Sequence, residues 1–498
     1  MPFTPEEFTT DSPCLLTAQD TENVWRPLYR QACAFKGDAF IECMMNMIRN
    51  PNLNSSWLFR ADILYDSDPT SEENPDDISA HINQLTVHQP QSCPIVGFTP
   101  SRRLVRRLIP RNDRRDKPME QTCEIHKAVS DDGTKKQTLI VYLPHIQTPE
   151  EIPFYHPKVR GIAHLHEWDS ETDSGHISIH FMGYPSLDVY EKKTQKIAFH
   201  LLELLEKHGR SRVTGGYVKR VHHDLIVPQG RFQNRYSALK NKYARSLIVD
   251  WAEQTDPDKH VFEDLGIASF LMELWADLYK DVEFPGFVDI GCGNGLLVYI
   301  LQQEGYKGWG FDARRRKSWV QYTGKSDESP TGASLEELFL LPDLTVQGDE
   351  ADGIDTARIH NGVFPKDTFI ISNHADELTP WTPILAAASQ CPFIMIPCCS
   401  HNLTGDKYRA PPPRDKTKGK STYASLVDWV TRIGEDCGWE VETEMLRIPS
   451  TRNTSLLGRR RTNKEEDFNL ENIVAKYGGT QGFAKNVAKL ASVIPRGH

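Results

Sequence analysis

The chain has 498 residues, of which 39% are hydrophobic and 25% are charged, a composition typical of soluble globular proteins with two to four domains. No apolar run approaches the roughly 20 residues that span a bilayer, and the acidic N-terminus lacks the features of a signal or transit peptide, so we expect a cytoplasmic protein without a membrane partner. The 10 cysteines are scattered without a CxxC pair, which predicts free thiols and no metal site.

The first part of the chain predicts a mixture of helices and strands. Apolar residues over 23–49 predict a helix, namely Trp25, Leu28, Cys33 and Phe40. The acidic, proline-containing segment 66–77 predicts a loop. Strands are expected over Thr138–Leu143, Gly161–His166 and His176–Met182, with helices over Glu191–His208 and within Tyr236–Lys280. We therefore predict an α+β domain over residues 1–235, and the pattern does not identify its fold.

From about residue 284, short apolar segments alternate with helical ones, and we predict a second domain over residues 236–498. Strands are expected in FPGFVDIG (284–291), GWGFDA (308–313), LTVQG (344–348), DTFIISNH (367–374) and CPFIMIPCC (391–399). Helices are expected in LLVYILQQEGY (296–306), Thr379–Gln390 and Tyr423–Cys437. This alternation is typical of an α/β fold with a doubly wound, mostly parallel sheet. Such sheets bind ligands beyond the carboxyl ends of their strands.

A glycine-rich turn, DIGCGNG (289–295), follows the first of these strands. Glycines allow a tight turn and admit a ligand where a Cβ would block it. Asp312 ends the next strand, where a carboxylate can accept hydrogen bonds from a ribose diol. The D-x-G-x-G-x-G order resembles motif I of class I S-adenosylmethionine-dependent methyltransferases. We therefore predict cofactor contacts from Asp289, Gly291, Cys292, Gly293, Asn294, Gly295 and Asp312.

Two other interpretations of this turn remain open, an NAD site and a purely structural glycine turn. An NAD site requires G-x-G-x-x-G, and here Leu296 occupies the position of the third glycine. Asp349 and Glu350 follow the third predicted strand, where methyltransferases usually contact adenosine, and we predict that both bind the cofactor.

Polar residues follow the fourth and fifth predicted strands, in ISNHADELTPW (371–381) and PCCSHN (397–402). Four consecutive polar residues are hard to bury without partners and are easier to explain as the lining of a cleft. Transfer of a methyl group to a hydroxyl also requires a proton acceptor. The candidate catalytic residues are His374, Asp376, Glu377 and Lys317. We expect Asn373 to contact the cofactor and His401 to face the substrate, although His374 could equally be a structural histidine.

The net charge of −10 does not indicate a nucleic-acid-binding protein, but the basic residues are clustered. Basic runs lie over 102–117, 409–420 and 452–461, and three consecutive arginines follow Asp312. Local clusters of this kind can bind phosphate groups. The predicted substrate contacts are Arg111, Arg314, Arg315, Arg316 and Arg452. Trp309, Trp319 and Trp381 either stack on an unpaired base or pack in the core.

Five sequence segments follow one another along the chain in the order FVDIGCGNGLLVYIL, GFDARRRKSW, ISNHADELTPW, FIMIPCCSHNL and LRIPSTRN. With LIPRNDRRD and TDPDKHVFEDLGIASFLMELW upstream, they resemble the eukaryotic tRNA uracil-2′-O-methyltransferases that modify uridine 44 of serine tRNA. The resemblance covers roughly residues 90–498. It implies a Rossmann-like class I fold, S-adenosylmethionine as the methyl donor, a ribose 2′-hydroxyl as the acceptor and serine tRNA as the partner. Selection of one tRNA would need a second surface, which we expect from the N-terminal domain.

Two alternatives to this function stay open on the sequence alone. The first is a methyltransferase that acts on a protein or a small molecule, which would not bind tRNA in a salt-sensitive manner. The second is a non-catalytic RNA-binding subunit, which would need a damaged cofactor loop, whereas the acid and the three glycines are all present. The sequence makes no prediction of the oligomeric state.

Overall fold

The computed structural model describes residues 3–20, 23–67, 90–112, 115–130, 132–213, 223–344, 355–415, 421–462 and 469–492. The chain divides into two compact units, Met1–Val218 and Lys219–His498. The sequence analysis placed the division at residue 235, which lies inside a helix of the second unit, Gln229–Val249. Each unit is described by itself.

The first unit is built on an eight-stranded sheet in the order β1-β2-β8-β7-β6-β5-β4-β3, with antiparallel neighbours throughout. Its strands are β1 (Glu6–Glu7), β2 (Trp25–Cys33), β3 (Leu58–Asp66), β4 (Thr99–Pro110), β5 (Met119–Val129), β6 (Lys135–Pro144), β7 (Gly161–Asp169) and β8 (Ser174–Met182). Two helices, α1 (Gly37–Arg49) and α2 (Lys192–Val213), accompany the sheet. The predicted strands and the predicted helix after residue 191 are confirmed, within a few residues at their ends.

Alternation along β6 explains why this sheet has a core on each face. Ile140 and Tyr142 pack into the apolar cluster that includes residues of α1 and α2. The intervening Leu139 and Val141 pack into a second cluster with Trp25. Successive side chains of a strand point to opposite faces, so one apolar segment serves both clusters.

The helix predicted over residues 23–49 is wrong in its first half. Trp25–Cys33 is a strand, and the helix begins at Gly37. The register of β2 against β8 shifts between Pro27 and Tyr29, and a bulge of this kind inserts an extra residue into a strand. Trp25 packs in the cluster on one face of the sheet and Leu28 in the cluster on the other, so their spacing of three is that of a strand buried on both faces and not a turn of helix. Most of the predicted acidic loop, from residue 68, lies outside the described residues.

The second unit contains a seven-stranded sheet in the order β11-β10-β9-β14-β15-β17-β16. The strands are β9 (Phe287–Ile290), β10 (Gly308–Asp312), β11 (Leu335–Glu337), β14 (Phe369–Asn373), β15 (Phe393–Ile396), β16 (Trp439–Met445) and β17 (Thr454–Arg461), and a separate pair is formed by β12 (Phe339–Leu340) and β13 (Ile359–His360). Pairing is parallel from β11 to β15 and antiparallel around β17. An α/β fold with a mostly parallel sheet is confirmed.

Helices pack on both faces of this sheet. They are α3 (Gln229–Val249), α4 (Pro257–Leu278), α5 (Leu296–Gln303), α6 (Trp319–Tyr322), α7 (Thr382–Ala388), α8 (Thr422–Asp436), α9 (Leu470–Lys476) and α10 (Phe483–Ser492). Side chains of α3, α4, α5 and α6 share one apolar cluster with the sheet. Side chains of α7, α8, α9 and α10 share the other. Within the described part of the chain, no helix is long and apolar enough to cross a membrane.

The third strand of the sheet differs from the prediction. Leu335–Glu337 pairs with β10 in parallel, whereas the sequence analysis placed this strand at LTVQG (344–348), most of which lies outside the described residues. The observed strand has only three residues in SLEELFLL, a segment without clear alternation, so its apolar pattern is too short to be recognised.

Candidate functional site

A cavity of about 670 Å³ opens at the carboxyl ends of β9, β10, β14 and β15. Strands β10 and β14 both pair with β9, one on each side, so the chain leaves β9 at the point where the strand order reverses. Open α/β sheets bind ligands at such a point. Helix α4 contributes four lining residues from the side, Lys259, His260, Glu263 and Asp264.

The glycine-rich turn adopts a backbone that favours glycine. Gly291, Gly293 and Gly295 have φ angles of +73°, +53° and +76°. A Cβ at Gly295 would lie 2.5 Å from Leu335 Cδ1, and one at Gly291 would lie 3.0 Å from Ala375 Cβ. A Cβ at Gly293 would meet no atom within 4 Å. Two glycines are therefore required by packing, and Gly293 leaves open space where the turn lines the cavity.

Hydrogen bonds from neighbouring residues fix this turn. Trp319 Nε1 donates to Gly293 O at 2.9 Å, and Ser318 Oγ donates to Asn294 O at 2.8 Å. Asn294 Oδ1 accepts a hydrogen bond from Leu296 N, at the start of α5, at 2.8 Å. Cys292 is buried against β10, and burial raises the pKa of its thiol well above the ordinary value. The predicted cofactor residue Asn294 thus has a structural partner for its side chain.

Three carboxyl groups are buried together in the wall of the cavity. Asp289 is 1% exposed, and its Oδ1 has no hydrogen-bond partner within the described residues. Burial, together with the charges of Asp264 and Asp312, raises the pKa of Asp289 well above its usual range. Burial and the nearby Glu263 raise the pKa of Asp264 to about 8. An unpaired buried charge is costly, so this arrangement favours a ligand that brings positive charge.

Asp312 meets the turn directly. Its two carboxylate oxygens accept hydrogen bonds from Gly293 N and Arg314 N, each at 3.1 Å. Burial raises the pKa of Asp312 despite the nearby Arg316 and these two N–H groups. Apolar residues Leu338, Phe339 and Leu340 line the same cavity. The buried acids can bind the amine and the ribose hydroxyls of S-adenosylmethionine, and the apolar wall can contact its base. The cavity therefore fits this cofactor. Asp349 and Glu350, the other predicted contacts, lie outside the described residues.

The buried acids predict a pH dependence of stability. Since their pKa values are raised in the folded protein, the native state holds protons that the unfolded chain releases above about pH 4. The stability they contribute is present at low pH and is lost as the pH rises towards 8, the pKa of Asp264. We expect the melting temperature without added ligand to fall between pH 5 and pH 8. An Asp264→Asn variant should show a flatter profile, and an unchanged slope in calorimetry would contradict the assignment.

The turn after β14 holds two residues with unusual backbone angles. His374 and Asp376 have φ angles of +51° and +41°, a region that residues other than glycine rarely adopt and that recurs at functional sites. His374 Nε2 lies 2.9 Å from Glu263 Oε1. Burial raises the pKa of Glu263, but the hydrogen bond with His374 and the charges of His374, His260 and Lys259 together lower it below the ordinary value. Glu263 is therefore an ionised partner that orients the imidazole.

Asn373 and Glu377 lie in the same wall. Asn373 Nδ2 is 3.4 Å from Asp264 Oδ1, and Asn373 Oδ1 has no partner within the described residues. Burial, with a contribution from the charge of Asp376, raises the pKa of Glu377. Together with His374, the predicted residues of this strand end are thus brought into one cavity.

The end of β15 meets the same turn. Cys398 Sγ donates to Asp376 Oδ1 at 3.0 Å, and the backbone oxygen of Cys398 accepts a hydrogen bond from Arg452 Nη1. Asp376, Cys398 and Cys399 have donor atoms within 4.8 Å of one another. Three donors fall short of the four that structural zinc sites use. All 10 cysteines are free thiols.

The structure places only some of the predicted substrate-binding residues in the wall of the cavity. Arg314, Arg316 and Arg452 line the cavity. The exposed Arg315 and Lys317 are not among the residues that line it. His401, also outside the lining, has a buried Nδ1 with no partner in the described part of the chain. Arg111 belongs to the first unit, where its Nε donates to Leu58 O.

Three tryptophans near the site pack in the core, with exposures of 4%, 1% and 0% for Trp309, Trp319 and Trp381.

The sequence analysis missed the contribution of α4. Glu263 and Asp264 are buried at 6% and 7% exposure within a helix whose following residues are almost all apolar. The sequence does contain a signal for this contribution, namely two adjacent acids at the start of an apolar helix. Buried carboxylates require partners, so such a pair indicates a site. Their partners lie more than 100 positions away, at His374 and Asn373.

Comparisons with known proteins cover both units. A family model described as "TRM44-like, N-terminal bet v1-like domain" matches residues 5–220, and one described as "Predicted AdoMet-dependent methyltransferase" matches residues 226–335. Three similar proteins, each named tRNA (uracil-O(2)-)-methyltransferase, come from Neurospora crassa, Schizosaccharomyces pombe and Saccharomyces cerevisiae. Their identities are 53%, 37% and 34%, over 98%, 95% and 95% of this chain and 97%, 94% and 94% of the relatives.

Proposed function

The chain belongs to the tRNA (uracil-O(2)-)-methyltransferase family, and on that premise we propose that it methylates the ribose 2′-hydroxyl of uridine 44 in serine tRNA. The family's methyl donor is S-adenosylmethionine. The observation that carries the proposal is the 53% identity over 98% of the chain with a protein of this name. The choice of uridine 44 and of serine tRNA rests on the resemblance of the sequence strings.

A class I, Rossmann-like fold for the second unit belongs to the same proposal. It is supported by the parallel order from β11 to β15, with β17 inserted antiparallel beside β15. Helices on both faces and a glycine-rich turn after β9 agree with it.

The cofactor residues of the proposal are those of the turn and the buried acids. Asp289 would hold the amine of the methionine moiety, because its Oδ1 is buried with no partner in the part of the chain that the structure describes. Asp312 would accept hydrogen bonds from the ribose diol. Asn373 and Asp264 would complete the polar wall around the methionine moiety.

When bound, S-adenosylmethionine supplies an electrophilic methyl group for in-line transfer to an oxygen. The protein's contribution is to align the acceptor, exclude water and accept its proton. His374 is suited to accept it. A neutral imidazole that donates from Nε2 to the ionised Glu263 keeps a lone pair on Nδ1. Asp376 and Glu377 lie in the same turn and remain the alternative acceptors, whereas Lys317 does not line the cavity.

Phosphate binding near the acceptor is assigned to the three arginines that line the cavity, Arg314, Arg316 and Arg452. Arg452 is the most constrained, since its guanidinium lies 4.8 Å from the Tyr423 ring centroid and contacts Cys398 O. Arg314 has a buried Nε with no partner in the described residues. Phosphate contacts position a nucleic acid without reading its sequence.

The proposal is tested with synthetic serine tRNA that carries 2′-deoxyuridine at position 44. This change removes the acceptor oxygen and leaves the base. We expect methyl transfer from labelled S-adenosylmethionine to unmodified tRNA and none to the deoxy substrate. A tRNA with 2′-deoxyuridine at another variable-arm position is the matched control and should be methylated. Equal labelling of both deoxy substrates would overturn the assigned position, and labelling of protein acceptors alone would overturn the RNA substrate.

A further inference from the structure

The first unit contains a cavity of about 400 Å³ between its sheet and helices α1 and α2. This volume lies at the low end of the roughly 300–1,000 Å³ of small-ligand sites. Apolar and aromatic side chains form most of the wall, among them Met44, Met47, Tyr142 and Ile162. The lining has no aspartate or glutamate within the described residues, but it includes an arginine, two lysines and three histidines, namely Arg106, Lys193, Lys196, His156, His164 and His200. The site is therefore apolar inside, and its positive charge comes from Arg106, Lys193 and Lys196.

Arg106 is the central charged group of this cavity. It is 5% exposed and forms no hydrogen bond to a carboxylate within the described residues. Its Nη1 donates to the backbone oxygens of Met47 and Ile48, and its Nε and Nη2 donate to Gln121 Oε1. A guanidinium has five N–H groups, so one N–H of Nη2 is left for a ligand. A buried charge without a counter-ion is costly, and an electron-rich ligand would offset that cost.

Two of the three wall histidines, His156 and His164, are buried and neutral. Burial lowers the pKa of His164 to about 3 and the pKa of His156 to about 4. His156 is bonded to Gln121 and to Pro157 O. His164 is only 3% exposed, and its Nδ1 has no partner within the described residues. The ring nitrogen Nδ1 of His164 is thus buried behind the wall and not satisfied by any described residue.

The mouth of the cavity carries two exposed aromatic side chains among cations. Trp57 is 43% exposed and Phe154 is 57% exposed, with ring centroids 5.3 Å apart. The guanidinium of Arg115 lies 4.8 Å from the Trp57 ring and 5.3 Å from the Phe154 ring. Lys193 Nζ lies 5.4 Å from the Phe154 ring. Exposed aromatic rings beside basic side chains are the features with which proteins bind single-stranded nucleic acid.

We propose that this cavity binds one unpaired nucleotide of the tRNA substrate. The base enters the apolar interior, where the remaining N–H of Arg106 contacts its polar edge. A neighbouring base stacks on Trp57 or Phe154, and the phosphate lies near Lys193 and Lys196. The inference rests on the proposed function for its tRNA ligand. A purely apolar ligand would leave the charge of Arg106 unmatched.

The test compares tRNA binding and turnover of variants at the mouth, where substitution does not disturb the core. Trp57→Ala and Phe154→Ala each remove one stacking ring and should weaken tRNA binding by about 5- to 100-fold, with a raised KM for tRNA and an unchanged dissociation constant for S-adenosylmethionine. Lys196→Glu reverses a charge of the lining and should weaken tRNA binding as well. The matched control is Lys207→Glu, an exposed lysine of the same helix that does not line the cavity, and it should bind tRNA as the unchanged protein does.

Ultraviolet crosslinking of wild-type protein to tRNA, with the crosslinked peptides mapped by mass spectrometry, gives a readout that needs no variant. We expect a crosslink within residues 154–157 or at Trp57. Unchanged tRNA affinity of the aromatic variants, with crosslinks elsewhere, would overturn the inference while tRNA methylation by the wild type leaves the proposed function intact. Binding of a fluorescent fatty acid in the cavity without displacement by tRNA would also overturn it.

Discussion

An Asp289→Asn variant is expected to bind S-adenosylmethionine about 10- to 150-fold more weakly than the unchanged protein, the loss expected for a hydrogen bond to a charged group. The carboxyl group is buried at 1% exposure beside Asp264 and Asp312, and its Oδ1 has no partner among the described residues. Asparagine keeps the shape of the side chain but cannot ionise, so it cannot form an ion pair with a bound cationic amine. Isothermal titration calorimetry measures the difference directly.

The same variant should be more stable than the unchanged protein when no cofactor is added. Because the pKa of Asp289 is raised in the folded protein, folding must protonate this acid, and asparagine does not have that cost. We therefore expect a higher melting temperature together with a lower affinity. Asp281→Asn, at an exposed acid outside the cavity, is the control and should change neither. A parallel fall in affinity and melting temperature would indicate simple misfolding and would contradict the account.

A His374→Gln variant should lose about 10²- to 10⁴-fold in kcat, the usual contribution of a general base, with little change in KM for either substrate. Glutamine retains a hydrogen-bond donor for Glu263 but has no ring nitrogen to accept the proton. Glu377→Gln and Asp376→Asn change carboxylates of the same turn and should lower kcat by less than His374→Gln does. A larger loss from either carboxylate variant would transfer the role of base to that residue.

Chemical rescue separates a base from a structural histidine. His374 has a φ angle of +51°, which glycine adopts without strain, so His374→Gly creates space without distorting the turn. Added imidazole should restore part of the activity of this variant. A histidine that only supports the fold would show no rescue.

The parts of the site predicted from the sequence are those that depend on local patterns. Buried parallel strands are short apolar runs, and the polar residues that follow β9, β10 and β14 therefore stand out in the sequence. The turn at 291–295 can be predicted from its glycines because its backbone is left-handed there, a conformation that other residues rarely adopt. The cavity brings Asp289, Asp312 and His374 together, as expected for residues at the ends of adjacent strands.

The parts that the sequence did not reveal depend on tertiary contacts. Glu263 has its function only through a partner more than 100 residues away, which no local pattern encodes. Strand β2 has apolar residues at a spacing that also suits a helix because both of its faces are buried, so apolar and polar residues do not alternate along it. The fold of the first unit was not recognised because most of its strands are buried on both faces, so polar alternation is weak.

The measurement that tests the central claim most directly is the identity of the labelled nucleoside. Total tRNA from cells that lack this gene would be incubated with the purified protein and labelled S-adenosylmethionine, then digested and separated, with Asp289→Asn in parallel. The account predicts label in 2′-O-methyluridine from serine tRNA, strongly reduced with the variant at limiting cofactor. Label in a base-methylated nucleoside, or in no nucleoside although the cofactor binds, would contradict it.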